Sequence, residues 1–558
     1  MKYYGGIILL TFSIARGISP DLLYHNPENI FYLNPAAGEI RLKANKGTIV
    51  EAYVLYGKNK RLKMNLGFQD SKSDYFVADI GVFDTTFNYQ ILIRDKSDSL
   101  MLPPTGTFKC SQPPFTVPNW ACGRVYYSLF LDGFYNGNKA NDPAPTVEWN
   151  KPPDREYYYG GDIAGLIEKL PYLDSLNVDI LLLQPILAAN SNHKYDTRDF
   201  ASIDGSFGDT VELKQLINEV HLRKKFIVLK FIVTHTGSNF GGFLDVIKNG
   251  ANSKYYNWFN IHSLPIKTNP PNYDCWANDA RFPKLNLKDP SVQAFLIGYL
   301  DYWLHFGFDG VYLGEDPTID PEFVRLLKNA LKKKYSNLLI LGSSENFGIN
   351  GFDGTTNKKI AELIINYFAL KKINTSEFDQ ELRRTLFFNL SQVNLTSLID
   401  LSTLNKRIAS LVDNADLLLI YAFIFTIVGS PILTYGDEVG MKEGRFLNMG
   451  SFPWSIDKQN RALLEEIKKL IKIRQENPFL TGKFFYPLYV NDINRVYAYD
   501  RGGTIVAFNC GENPSYTTLP VWNGTYTNLM TGERFIITTQ QLRLSLPAKS
   551  FKILKREI

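Results

Sequence analysis

"VDILLLQP" (Val178–Pro185) and "KFIVLKFIV" (Lys225–Val233) decide the fold of this chain. Each is a short apolar run without polar alternation, the composition of a strand buried on both faces in a parallel sheet. Working outward, similar runs stand at "VYYSLF" (Val125–Phe130), "GFDGVYLG" (Gly307–Gly314), "NLLILGSS" (Asn337–Ser344), "SLID" (Ser397–Asp400) and "PILTYG" (Pro431–Gly436), with amphipathic helical patterns between them. Strand, helix, strand repeated over about three hundred residues predicts a closed (β/α)8 TIM barrel. We place it at residues 125–478.

The flanks have a different periodicity. Residues 21–108 alternate apolar and polar positions, as in "EIRLKA", "IVEAYVLYG" and "YFVADIGVF", which predicts an N-terminal antiparallel β-sandwich. A Pro-rich stretch, 109–124, reads as a linker. Residues 479–558 return to alternation ("RVYAYDR", "TIVAFN", "LRLSLP") and predict a C-terminal antiparallel β domain. The first twenty residues, with Lys2 before an apolar run from Ile7 to Ile14, have the layout of a secretory signal peptide. If they are not a signal they would be a first β-strand of the mature fold, and the protein would be cytoplasmic. Sequons at Asn374, Asn389, Asn394 and Asn523 agree with export. The apolar stretch Asp416–Gly436 is broken at Gly429, Ser430 and Pro431, too early for a transmembrane span, and reads as a buried helix followed by an internal strand.

With 558 residues the chain exceeds one core, and 45% hydrophobic against 21% charged residues is an ordinary globular balance. The net charge of +5 is spread along the chain, so nucleic acid is not an expected partner. Four cysteines, Cys110, Cys122, Cys275 and Cys510, show no zinc spacing; Cys110 and Cys122 are either bridged across the linker or isolated thiols.

Four blocks carry a resemblance to the α-amylase family of glycoside hydrolases, in its neopullulanase, cyclomaltodextrinase and maltogenic amylase branch. They are "YYGGDIAGLIEKLPYLDSLNVDILLLQPI" (Tyr158–Ile186), "SNHKYDTRDFASIDGSFG" (Ser191–Gly208), "PNYDCWANDARFPKLNLKDPSV" (Pro271–Val292) and "SPILTYGDEVGM" (Ser430–Met441). The resemblance implies a segment inserted after the third barrel strand, at about 235–282, and a groove for α-1,4-glucans. It also implies a retaining mechanism with two carboxyl groups about 5–5.5 Å apart.

Laid on that pattern, the chain lacks the groups that do the chemistry. The register "GFDGVYLG" puts Tyr312 and Gly314 where the family has its arginine and nucleophilic aspartate. "LILGSSENFG" puts Ser343 at the acid/base glutamate, and "SLIDLSTLNKR" puts Ser402 and Thr403 at the usual His-Asp pair. Lys230 and Thr234 replace an aspartate and an asparagine on the third strand. Neither glycine nor serine can attack an oxocarbenium centre or protonate a leaving oxygen. Relocation would restore the couple: Asp316 lies two residues past Gly314 and Glu345 two past Ser343, so strand alternation points them the same way, about 7 Å further on, with Asp400 or Glu315 as helpers.

Retained groove residues are His193, Tyr195, Asp196 and His235, with Trp258 and Trp276 as further rings for stacking on sugar faces. No cofactor is expected other than calcium: "DGFYNGNKANDP" resembles the family's calcium loop, with Asp132, Asn136, Asn138, Asn141 and Asp142 as hard oxygen ligands, or else is a plain polar turn. The reading is a secreted, non-hydrolytic relative that binds an α-1,4-glucan or maltooligosaccharide. The alternatives are an active hydrolase or transglycosylase using Asp316 and Glu345, and a structural or regulatory subunit of an active paralogue. A homo- or heterodimer through the N-terminal domain is implied by the branch.

Overall fold

Eight parallel strands close into a barrel in the computed structural model. We number them β1 (Tyr126–Leu129), β2 (Ile180–Leu183), β3 (Phe226–Lys230), β4 (Gly310–Tyr312), β5 (Leu339–Ser343), β6 (Gly354–Thr356), β7 (Leu398–Ile399) and β8 (Ser430–Thr434). The structure describes residues 18–96, 98–111, 115–154, 156–314, 316–343, 351–401, 406–442, 444 and 450–557. The ring closes by pairing β8 with β1, Leu433 opposite Tyr127. Side chains of β1 to β5 are almost wholly buried, which is why those strands are continuous apolar runs in the sequence.

One strand has no such run. β6 is Gly354-Thr355-Thr356, held by Gly342 opposite Thr355 on β5 and by Thr356 opposite Leu398 on β7. Three residues of Gly and Thr carry no hydrophobic signal, so the sequence shows seven of the eight strands.

The helices lie outside the ring and are capped by side chains the sequence supplies. Asp162 accepts from Gly165 N at the start of Ile163–Leu176, and Asp209 with Glu212 forms a capping box on Thr210–Leu222. The apolar helix Asn414–Thr426 is buried on nearly all sides and runs into β8, as the break at Gly429 predicts. Among the described residues no helix is long and apolar enough to cross a membrane.

The chain divides into two compact units, ending and beginning at Thr116 and Val117. The first is an antiparallel sheet domain. Its ten-residue strand Lys60–Gln69 pairs through its first half with Glu51–Tyr56 and through its second half with Ser73–Asp79, bending at a bulge between Leu66 and Phe68. Ile40, Leu42, Val54, Ile91 and Ile93 fill its core. The second unit holds the barrel and a C-terminal six-stranded antiparallel sheet plus the pair Ser515–Pro520 and Gln541–Leu546. Arg474, fully buried, ties the barrel's last helix inward by donating to the carbonyls of Gly123, Phe425, Ile427 and Gly429.

All four cysteines are free thiols, so no bridge joins Cys110 and Cys122. Two of the four sequons cannot present their amides: Asn389 and Asn394 are buried and hydrogen-bonded to each other at 2.8 Å. The leader expected at residues 1–20 lies almost wholly outside the described residues.

Candidate functional site

The carboxyl ends of β1 to β6 face the loops that carry the retained family motifs. At the floor, Lys230 ends β3 with 1% exposure. Its ammonium donates to the Tyr195 hydroxyl at 2.5 Å and to Gln184 Oε1 at 3.1 Å, and lies within 5.1 Å of the Tyr195 and Tyr312 ring centres. The Gln184 amide in turn donates to Ser128 on β1 at 2.8 Å. On the far side, the Tyr312 hydroxyl shares a 2.9 Å hydrogen bond with Thr356 on β6. Ser128, Gln184 and Thr356, none singled out in the sequence, thus join Lys230 and Tyr312 in one buried polar layer. Their signal was present only as polar residues breaking apolar strand ends.

Gly314 follows β4 with φ +98, and Ser343 closes β5 with 1% exposure and a hydroxyl that has no partner among the described residues. The positive φ matters for the relocation expectation. Strand alternation ends at Gly314, so Asp316 does not continue β4 by one residue pair. Its buried carboxylate instead accepts from Thr318 N and Oγ1 at 2.9 and 2.6 Å and pairs with Lys284 at 3.1 Å. Burial works to raise its pKa, but the Thr318 hydrogen bonds and the Lys284 ammonium together hold it below the ordinary aspartate value. An acid so held is a poor proton donor. Glu345, Glu315, Ser402 and Thr403 lie outside the described residues.

Above this layer sit the histidines and rings. His193 is buried and its Nδ1 accepts from Tyr195 N at 3.1 Å, which fixes the proton of the neutral ring on Nε2. His235 is 1% exposed; burial drives its pKa down to about 3, against the opposing pull of Asp316, so the ring is neutral at ordinary pH. Its Nδ1 meets Thr234 Oγ1 at 3.0 Å while its Nε2 has no hydrogen-bonded partner among the described residues. Trp276 lies nearly parallel to both rings, 4.8 Å from His235 and 5.9 Å from Tyr195.

Two expected groove residues do other work. Trp258 packs in the barrel-side core against Phe240, Tyr255 and Phe295 and donates to Ser291 Oγ at 2.8 Å, too deep to stack on a sugar. Asp196 accepts from Asn190 N, Ser191 N and Ser191 Oγ, so its charge is used to shape its own loop. That loop is pinned from below by a buried ion pair the sequence did not reveal, Lys194 with Asp204 at 3.0 Å.

The loop expected to hold calcium is divided in the roles of its side chains. Asn136 Oδ1 and both amide atoms of Asn141 are buried without partners, and Asn136 Nδ2 donates to Asp142 Oδ1 at 2.7 Å. Asn138 spends its oxygen on Ala140 N at 3.1 Å, and Asp132 uses Oδ1 on the amides of Tyr159 and Gly160 while Oδ2 is unpartnered. Among the described residues no three His, Cys, Asp or Glu side chains gather to hold a metal. Orphaned amide oxygens beside one carboxylate, at Asn136, Asn141 and Asp142, are the hard-oxygen type of donor that a cation such as calcium takes.

Comparison with known proteins bears on the family and the fold. Residues 128–321 match the model of the α-amylase catalytic domain. The chain is 32% identical over 512 residues to a cyclomaltodextrinase of Thermoanaerobacter pseudethanolicus, covering 84% of this chain and 88% of that protein. It is 31% identical over 549 residues to neopullulanase 2 of Thermoactinomyces vulgaris, covering 91% and 94%. A solved cyclomaltodextrinase superposes with a TM-score of 0.86 at 26% identity, over 96% of this chain and the whole of that one.

Proposed function

Since the chain belongs to the α-amylase family of glycoside hydrolases, we propose that it is a member that recognises α-1,4-glucan without hydrolysing it. One observation carries the reading: of the adjacent strands β4 and β5, the first leads two residues on into Gly314 and the second ends on Ser343, where the family pattern calls for nucleophile and acid/base. Glycosyl transfer needs a carboxylate on one face of the anomeric carbon and a proton donor on the leaving oxygen. A Ser343 hydroxyl supplies neither at ordinary pH. Lys230 places a cation below the point where the sugar would develop positive charge, a repulsion that a buried setting strengthens.

Recognition has better support. Tyr195 offers a ring face, while His193 and His235 present nitrogen atoms suited to sugar hydroxyls. The branch relatives, a cyclomaltodextrinase and a neopullulanase, are named for cyclomaltodextrin and pullulan. We take a maltooligosaccharide as the ligand of this chain. Calcium would be held by Asn136, Asn141 and Asp142 and would tie their loop to the start of the barrel. Pairing of two copies through the N-terminal domain and export by the leader belong to the same proposal.

Calorimetry with maltoheptaose and an assay for new reducing ends with maltoheptaose and pullulan, on one pure preparation, test it. Heat of binding without reducing ends is the expected result. Turnover that disappears on Asp316→Asn or Glu345→Gln would sink the proposal and revive the relocated couple.

A further inference from the structure

Trp276 sits at the tip of a turn with an unusual backbone. The two residues after it, Ala277 and Asn278, both lie in the left-handed region at φ +54 and +56, although neither is glycine. A non-glycine residue there is costly, and two in succession are held only by what surrounds them. The turn is closed by Trp276 N donating to Phe282 O at 2.9 Å and Asp279 N to Trp276 O at 3.1 Å. Its indole, half-buried, lies on His235 and Tyr195 and meets Phe282 edge-on at 5.5 Å.

Beneath it His235 Nε2 is buried without a hydrogen-bonded partner among the described residues, although the ring feels the Tyr195 backbone electrostatically. A buried ring nitrogen left unsatisfied is a cost that native proteins rarely carry without a reason. Whichever tautomer His235 adopts, a sugar hydroxyl can complete the bond, because a hydroxyl both donates and accepts. The indole cannot, since its only polar group is a donor and here it contributes a face. A flat apolar ring over a ring wall and an unfilled hydrogen-bonding position is the complement of a hexose with its position of hydroxyls left out.

We propose that Trp276 is an autoinhibitory gate: its indole occupies the place of one hexose ring of the ligand, and binding requires the turn 275–279 to swing the indole out. The inference rests on the glucan-binding reading above and adds to it the closed state and the residue that closes it. The ligand is the neutral hexose of a maltooligosaccharide, walled by Tyr195 and His235, with His235 Nε2 as its hydroxyl partner. When the competent state is a minor fraction of the population, apparent affinity falls by that fraction. Emptying the place by Trp276→Ala therefore strengthens binding.

The test uses the full chain, wild type against Trp276→Ala and Trp276→Phe, with two readouts. Diethyl pyrocarbonate labelling mapped by mass spectrometry reports access to His235, and calorimetry with maltoheptaose reports affinity. Expected are a protected His235 in wild type and Trp276→Phe, a reactive one in Trp276→Ala, and at least about tenfold tighter binding by Trp276→Ala, lost again when His235→Gln is added. Equal or weaker binding by Trp276→Ala than by wild type would leave the glucan-binding reading standing and overturn the gate. So would a His235 that labels equally in all three proteins. Absence of binding in wild type and Trp276→Ala alike would overturn the glucan-binding reading and the hexose assignment with it.

Discussion

Placing an L side chain at Gly314 isolates what this position costs. Among the described residues an ideal Cβ there meets only Ile232 Cδ1, at 3.5 Å, an ordinary contact, so they do not resist it by packing. The backbone does: φ is +98, where a Cβ crowds the carbonyl and costs about 1–2 kcal/mol. For the unit running from Val117 to Ile558, an unfolding entropy of about 2.1 cal/mol/K per residue totals about 0.9 kcal/mol/K. Gly314→Ala should therefore lower the calorimetric midpoint of that unit by about 1–2 °C. Gly310→Ala, whose Cβ would stand 2.9 Å from Leu339 Cβ and O, adds a clash of about 1–3 kcal/mol and should fall further. The functional corollary is that Gly314→Asp with Ser343→Glu releases no reducing ends from maltoheptaose above wild type, because the chain has already turned away where the nucleophile would stand. An unchanged or raised midpoint for Gly314→Ala, or hydrolysis by the double variant, would refute the argument from backbone geometry.

Three further outcomes follow from buried charge. Lys194→Met leaves Asp204 buried without its cation and should cost about 3–5 kcal/mol, read as a lowered midpoint of the barrel unit, with part of the loss recovered in the Lys194→Met, Asp204→Asn pair. Glu438, wholly buried beneath the Tyr127 and Tyr172 hydroxyls, has its carboxyl pushed up to about 7 by burial. A raised acid pKa stabilises the fold below its unfolded value and loses that contribution as pH rises through the folded one. Thermal stability should thus decline between about pH 4.5 and pH 7, and Glu438→Gln should flatten that slope in a melting series. Calcium at about a hundred times its dissociation constant should add about 2.7 kcal/mol, close to 3 °C in the barrel midpoint, with no such gain in Asn141→Ala.

The barrel was legible because strands buried on two faces are written as unbroken apolar runs, and Val178–Pro185 and Lys225–Val233 are such runs. The alternating flanks were legible for the matching reason, one face solvated. β6 was not, since three residues of Gly and Thr are held in the ring by the pairing of their neighbours rather than by their own hydrophobicity. The sequence also determined which residue types stand at the ends of β4 and β5, because register within a motif is local. Where a side chain points from those ends is not local. Asp316 was expected to continue β4, but one positive φ at Gly314 sent it to Lys284 and Thr318 instead. Trp258 and Trp276 look alike in the sequence, yet one fills a core and the other covers His235, a difference set by which elements approach them in space. Lys194 and Asp204, and Tyr312 and Thr356, meet only after the loops and strands have closed. Pattern along the chain encodes burial and strand direction; partners far apart in sequence are chosen by the closed barrel itself, because only there do their distances fall within a hydrogen bond.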